Sequence, residues 1–97
     1  MAYALVIAKA AEDDIRLAYL WYEEQKESLG RTFEKHIFKA VDSIRDNPLK
    51  MQVRYAATRV FFLKKFPYGI HYNVAGNVIL IVAVFHTSLD PINWKNM

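Results

Sequence analysis

The chain has 97 residues and no cysteine; it is 54% apolar and 14% aromatic, with a formal charge of +3 at neutral pH. That length implies one domain over 1–97, with room for one sheet and one helical layer and none for a second catalytic lobe. The missing cysteine excludes disulfides and thiolate metal sites. No apolar run nears the roughly 20 residues a membrane-spanning helix needs, the longest being Val78 to Phe85. The segment MAYALVIAKAAEDD carries no basic leader before its apolar stretch, so a cytoplasmic protein without a signal peptide or membrane partner is expected.

Residues 3–9, YALVIAK, read as a short strand closed by the acidic cluster Glu12, Asp13 and Asp14, which suits a helix N-terminus. Ile15, Ala18, Tyr19, Tyr22 and Leu29 then recur at helical spacing until Gly30, which is expected to provide a left-handed stop. A second helix carries Phe33, Ile37, Ala40, Val41 and Ile44 on one stripe and ends at Asn47-Pro48. The two make a helical hairpin, and each has one apolar stripe that a sheet must cover. Between Pro48 and Thr58 lies a connection with a short extended piece. Arg59 to Lys65, Tyr68 to Ala75 and Val78 to Phe85 then form an antiparallel meander. The fold class is therefore α+β, with the helical hairpin on one face of a small, mainly antiparallel sheet.

A two-residue Gly76-Asn77 turn fixes a register in which Ala75 faces Val78, Asn73 faces Leu80, His71 faces Val82 and Pro67 lies opposite His86. In that register Ile70, Tyr72, Val74, Ile79, Ile81, Ala83 and Phe85 pack under the helices. His71, Asn73 and His86 share the other face with Leu80, Val82 and Val84, and no element remains to cover it. An apolar patch of this kind awaits a partner. Charge points the same way. Acidic residues gather in the first half, whereas from Lys50 onward Arg54, Arg59, Lys64, Lys65 and Lys95 face only Asp90.

The candidate partner-binding residues are Arg54, Arg59, His71, Asn73, Leu80, Val82, His86 and Trp94. Arg59 begins a strand beside the exit of the second helix with few acids near it, and Arg54 follows the same logic. Alternation sends Lys64 and Lys65 to opposite faces, so at most one of them serves the open surface, and a solvated edge is the default. His86 ends a strand, where it either transfers protons or contacts a partner, or simply satisfies a strand-end hydrogen bond. His71 stands roughly 13 Å from it along the strand, too far to act as a pair. Neither has a cysteine or carboxylate cluster at ligand spacing, so no metal or cofactor is expected. Tyr55 and Trp94 lie in irregular segments near the basic residues, and Asp90-Pro91 starts a turn that folds Trp94 back on the sheet.

In order, AEDDIRLAYLWYEEQKESLGRTFEKHI, DSIRDNPLKMQVRY, FFLKKFPYGIHYNVAGNVILIVAVFH and DPINW resemble the RelE/ParE superfamily of type II toxin–antitoxin toxins over nearly the whole chain. The resemblance implies a β-α-α-β-β-β fold with the first strand beside the last, growth inhibition of the plasmid-stabilisation kind, and a cognate antitoxin with an acidic toxin-binding tail, held in a hetero-oligomer. RelE-like members cleave mRNA on the ribosome with clustered cations and a proton donor; ParE-like members poison DNA gyrase. In the RelE-like case Arg59, Lys65 and His86 would be catalytic. However, Pro67-Tyr68-Gly69 lacks the arginine that the RelE-like pattern places there, and Thr87-Ser88 follows His86 in place of a further basic residue. FPYGIHY, His86 and DPINW are similar to the ParE-like branch, with gyrase as target. The alternatives are a ribosome-dependent endonuclease and a decayed toxin that only binds antitoxin.

Overall fold

The computed structural model describes residues 2–88. In chain order these form β1 (Ala4–Ile7), α1 (Lys9–Gln25), α2 (Leu29–Asp46), β2 (Val53–Tyr55), β3 (Thr58–Phe62), β4 (Tyr68–Ala75) and β5 (Val78–His86). The sheet order is β1-β5-β4-β3-β2, with β1 parallel to β5 and every other pair antiparallel. The expected architecture holds, and the extended piece after Pro48 is a fifth, edge strand. Trp94 and the Asp90-Pro91 turn lie outside the described residues.

α1 buries Ala11, Ala18 and Tyr22, and α2 buries Phe33, Ile37, Ala40, Val41 and Ile44. These stripes meet Ile70, Tyr72, Ile79, Ile81 and Val84 of the sheet in one core. At one end the core is aromatic: the Phe33 ring lies 5.2 Å from Tyr22, 5.3 Å from Phe66 and 5.2 Å from Tyr68. The tilted and edge-on approaches suit the quadrupoles of the rings.

The helical hairpin closes differently from its sequence expectation. α1 ends at Gln25, and the left-handed residue is Ser28, with φ 71°. Gly30 instead lies buried in the first turn of α2, where a Cβ would meet the Tyr19 carbonyl and come 2.6 Å from Cγ of Glu23. This close approach brings Glu23 to the start of α2. Its two carboxylate oxygens accept the Ser28 N–H at 3.3 Å and the Arg31 N–H at 3.2 Å. A carboxylate from the neighbouring helix thus serves amides that a helix N-terminus leaves without partners, in the role a capping side chain would fill.

The β4–β5 turn is as expected, with Gly76 at φ 61° and Ala75 paired to Val78. A positive φ at the first central residue alone is the hairpin turn that needs glycine there. Farther along, the register departs from the simple ladder. Tyr72 pairs with Ile81 but His71 pairs with Ala83, so Val82 has no rung of its own. One extra residue is a β-bulge, and it reverses the facing of every later residue of β5. Val84, not Ala83 or Phe85, enters the core.

The hairpin correction has a direct test by chemical denaturation. Gly30→Ala should cost about 1–3 kcal/mol through overpacking. Ser28→Gly should gain about 1 kcal/mol by relieving the left-handed strain. Equal and small effects at both positions would contradict this geometry.

Candidate functional site

The second face of the sheet, away from the helices, is where the sequence places partner contacts, and the bulge redraws it. Tyr68 pairs with His86, and their rings lie 5.2 Å apart edge to face. Tyr68 also contacts Phe33 and Tyr22, so His86, like Val84 two residues before it, belongs to the helix side. Its Nδ1 accepts the Ser88 N–H at 3.0 Å. The expectation that His71, Asn73 and His86 share one face is therefore corrected: the bulge removes His86 from it. The expectation that Ala83 and Phe85 pack under the helices is corrected for the same reason. Phe85 lies against His71, with ring centroids 4.9 Å apart.

Nor is this face open throughout. His71 is fully buried, Val60 beside it is 2% exposed and Ala83 is 7% exposed. The edge hairpin supplies part of that cover. Tyr55, at the end of β2, forms a 2.7 Å hydrogen bond between its hydroxyl and His71 Nδ1. The turn that carries Tyr55 is tight, with Ala56 at φ 42° and Ala57 at φ 63° and Tyr55 paired to Thr58. Two non-glycine residues in the left-handed region cost of order 1 kcal/mol each, so the contacts around Tyr55 must offset that strain. Thr58 donates in turn to Oδ1 of Asn73 at 2.8 Å. His71 and Asn73 thus form a packed polar row beneath the edge hairpin.

Burial penalises the imidazolium and lowers the His71 pKa to about 4, and it raises the Tyr55 phenol. The pair is uncharged at neutral pH. Farther toward β1 the face remains apolar and accessible. Val6 is 49% and Val78 is 37% exposed, and the half-buried Leu80 lies on the rung of Val6. Val82 is half-buried at the bulge.

The cations lie elsewhere. Arg59 pairs with the core residue Tyr72, and its guanidinium donates to the carbonyls of Leu49, at 3.4 Å, and of Met51. The Tyr72 hydroxyl donates to the Pro48 carbonyl at 2.8 Å. Together they hold the loop leaving α2. Arg54 lies over the Phe62 ring, 5.0 Å from its centroid. Lys65 lines a groove between α2 and β3. Among the described residues no hydrogen bond or ring contact joins any two of Arg59, Lys65 and His86, and no cluster of three potential metal ligands occurs.

Asp14 has a role that sequence reasoning missed. β1 ends at Ile7, with the Ala8 N–H bonded to the Ile81 carbonyl at 2.9 Å, so β5 has no neighbouring strand on that side beyond Ile81. There Oδ2 of Asp14 accepts the Val84 N–H at 3.0 Å. Burial raises the Asp14 carboxyl above its ordinary value, the Val84 amide opposes the shift and Asp13 adds to it. In sequence Asp14 is one of three acids at a helix start, and nothing local singles it out.

Two helices on one side of a five-stranded sheet, with β1 beside the last strand, make the α+β arrangement that the resemblance to the RelE/ParE superfamily implies. The family described as the ParE toxin of the type II toxin-antitoxin system, parDE, matches residues 5–91, and the chain belongs to it. Among solved structures, a chromosomal ParDE toxin–antitoxin system from P. aeruginosa is similar at TM-score 0.78 and 17% identity, covering 88% of this chain and 96% of that one. The toxin–antitoxin complex RelBE2 from Mycobacterium tuberculosis follows at TM-score 0.57 and 14% identity, covering 89% of this chain and 99% of that one. At those identities the likeness is one of fold. No curated protein matches the sequence.

Two measurements check the site. The folded pKa of His71 lies below its unfolded value of 6.5, so between about pH 6.5 and 4 the unfolded chain takes up a proton that the folded one refuses. Stability should therefore fall as pH drops through that window, by up to about 1.4 kcal/mol per pH unit from this residue. NMR should show the His71 ring titrating near 4, and titration near 6.5 would contradict the burial. Arg59→Ala should cost about 1–2 kcal/mol in thermal or chemical unfolding, because two carbonyls of the α2 exit, that of Met51 partly buried, lose a charged donor. A variant of wild-type stability would show that the arginine is not structural.

Proposed function

We propose that this chain acts as a ParE toxin by binding DNA gyrase in the cytoplasm rather than by cutting RNA, and that a cognate antitoxin neutralises it. The observation that carries this reading is the separation of the residues a nuclease would need. Cleavage of a phosphodiester needs cations and a proton donor converging on one phosphate, where they stabilise the developing charge and protonate the leaving oxygen. Here the Arg59 guanidinium is engaged with backbone carbonyls, Lys65 lies in the α2/β3 groove and His86 packs on Tyr68. His71, the remaining imidazole of the meander, is buried and neutral.

Family membership supports the toxin class and, with it, an antitoxin partner. The accessible strip of Val6, Val78 and Leu80 offers that partner an apolar contact on the second face. In this reading Asn73 and Val82 border the docking surface, and Arg54 lies at the opposite edge of the sheet. His71 shapes it from below.

Induction in cells tests the proposal. DNA supercoiling, the SOS response and mRNA ends should be followed together, with and without the product of the adjacent reading frame. The expected result is loss of growth with relaxed or broken DNA, intact mRNA and rescue by the neighbouring product. Codon-placed mRNA cuts would support the endonuclease instead, and unaffected growth would mean a decayed toxin.

A further inference from the structure

The outer face of α1 is not the solvated face that a surface helix ordinarily presents. α1 turns Ala11, Ala18 and Tyr22 into the core, yet elsewhere on its surface Leu17, Leu20 and Trp21 are 67%, 46% and 55% exposed. Residues spaced i, i+3 and i+4 adjoin on a helix, so these three form one apolar stripe rather than scattered side chains. The exposed side of α2 carries Arg31, Lys35, Lys39, Asp42 and Arg45 instead. Its exception is Phe38, 50% exposed, which with Ile15, Tyr19 and Leu20 lines a cleft of ≈ 460 Å³ beside the stripe.

Each end of the stripe is an acid. Asp13 precedes Leu17 by one turn and Glu24 follows Leu20 by one turn, so both stand on the same face, and both are exposed. At a helical rise of about 1.5 Å per residue they are roughly 16 Å apart. Asp13 pairs with Lys9 at 2.7 Å, but the two side chains are 52% and 82% exposed, and an exposed i, i+4 pair is weak enough for a partner's cation to displace. The remaining cation of α1, Arg16, lines the cleft with the acids Glu12 and Glu34. Negative charge therefore dominates around the stripe, in a chain that is basic as a whole.

We propose that this stripe docks a basic amphipathic helix of a protein partner, whose apolar side chains cover Leu17, Leu20 and Trp21 and whose cations meet Asp13 and Glu24. Charge decides among the occupants. A second copy packed antiparallel along α1 would set the Asp13 of each against the Glu24 of the other, and packed parallel would set each acid against itself, like against like. An acidic segment is repelled at both ends. Residues 89–97 hold one cation, Lys95, and one acid, Asp90, and bring no net charge to match. A partner helix instead offers apolar anchors at the same i, i+3, i+4 spacing, and tryptophan is enriched where such contacts carry the binding energy. The stripe lies on the helical layer, across the sheet from the apolar strip of Val6, Val78 and Leu80 given above to the antitoxin.

A synthetic helical peptide with a leucine stripe and lysines at both of its ends tests this on the full chain, with the same peptide carrying glutamates as control. The lysine peptide should bind and shift the NMR signal of the Trp21 indole, and the glutamate peptide should bind at least about tenfold more weakly. The double variant Asp13→Lys, Glu24→Lys should keep the thermal midpoint and reverse that preference. Leu17→Ser with Leu20→Ser should weaken the lysine peptide at least about tenfold; if that variant loses its fold, the charge reversal alone decides. No binding of the lysine peptide, equal binding of the two peptides, an unreversed preference in the charge variant, or shifts confined to the sheet would overturn the proposal. So would a dimer of the free chain that buries Trp21, because a second copy would then be the occupant.

Discussion

A single hydrogen bond, from the Val84 N–H to the Asp14 carboxylate, marks the constraint on which this molecule depends. It joins the first helix to the last strand just past the bulge at Val82, where β5 has run beyond the end of β1 and its amide would otherwise have no strand to meet. A buried N–H without an acceptor costs about 1–3 kcal/mol, a penalty that the Asp14 carboxylate removes. With Asp14 in place, the bulge sets all later facing: Val84 into the core, Phe85 onto His71, His86 against Tyr68.

The functional consequence is a division of labour between surfaces. The centre of the second face is filled by a neutral polar row held under the edge hairpin, and its β1 side is apolar. Of the described cations that follow the second helix, Lys50, Lys64 and Lys65 line the groove beside α2, whereas Arg59 holds the α2 exit and Arg54 covers Phe62. A surface divided in this way suits grasping another protein, with an apolar seat on one side and an electrostatic clamp around the edge. Among the described residues Arg59 and His86 are each held by their own neighbours, carbonyls of the α2 exit and the Tyr68 ring. The same fold can host either activity, and the placement of a few side chains decides between them.

Much of the architecture was legible in the residues. The helical stripes, the Asn47-Pro48 stop, the Gly76-Asn77 turn and the meander follow from local periodicity and turn chemistry, which short stretches of chain determine. The errors arose where a distant residue decides. Gly30 reads as a stop, but its purpose is contact with Tyr19 and Glu23 on the other helix, while Ser28 takes the left-handed turn. VILIVAVF has no glycine or polar break to announce a bulge, and the acceptor that permits one lies far back in the chain, at Asp14. His71 was placed on the correct face, but its burial depends on Tyr55, whose segment has no periodicity to read. Arg59 looked available because few acids lie near it in sequence; its partners are backbone carbonyls, which carry no sequence signature.

The most direct measurement is a set of proton–proton contacts in solution between the rings of the sheet. The account predicts contacts between His71 and Phe85 and between His86 and Tyr68, with none between His86 and the His71 side. Contacts of Phe85 with the helical core, or of His86 with the second face, would show an unbulged strand and contradict it.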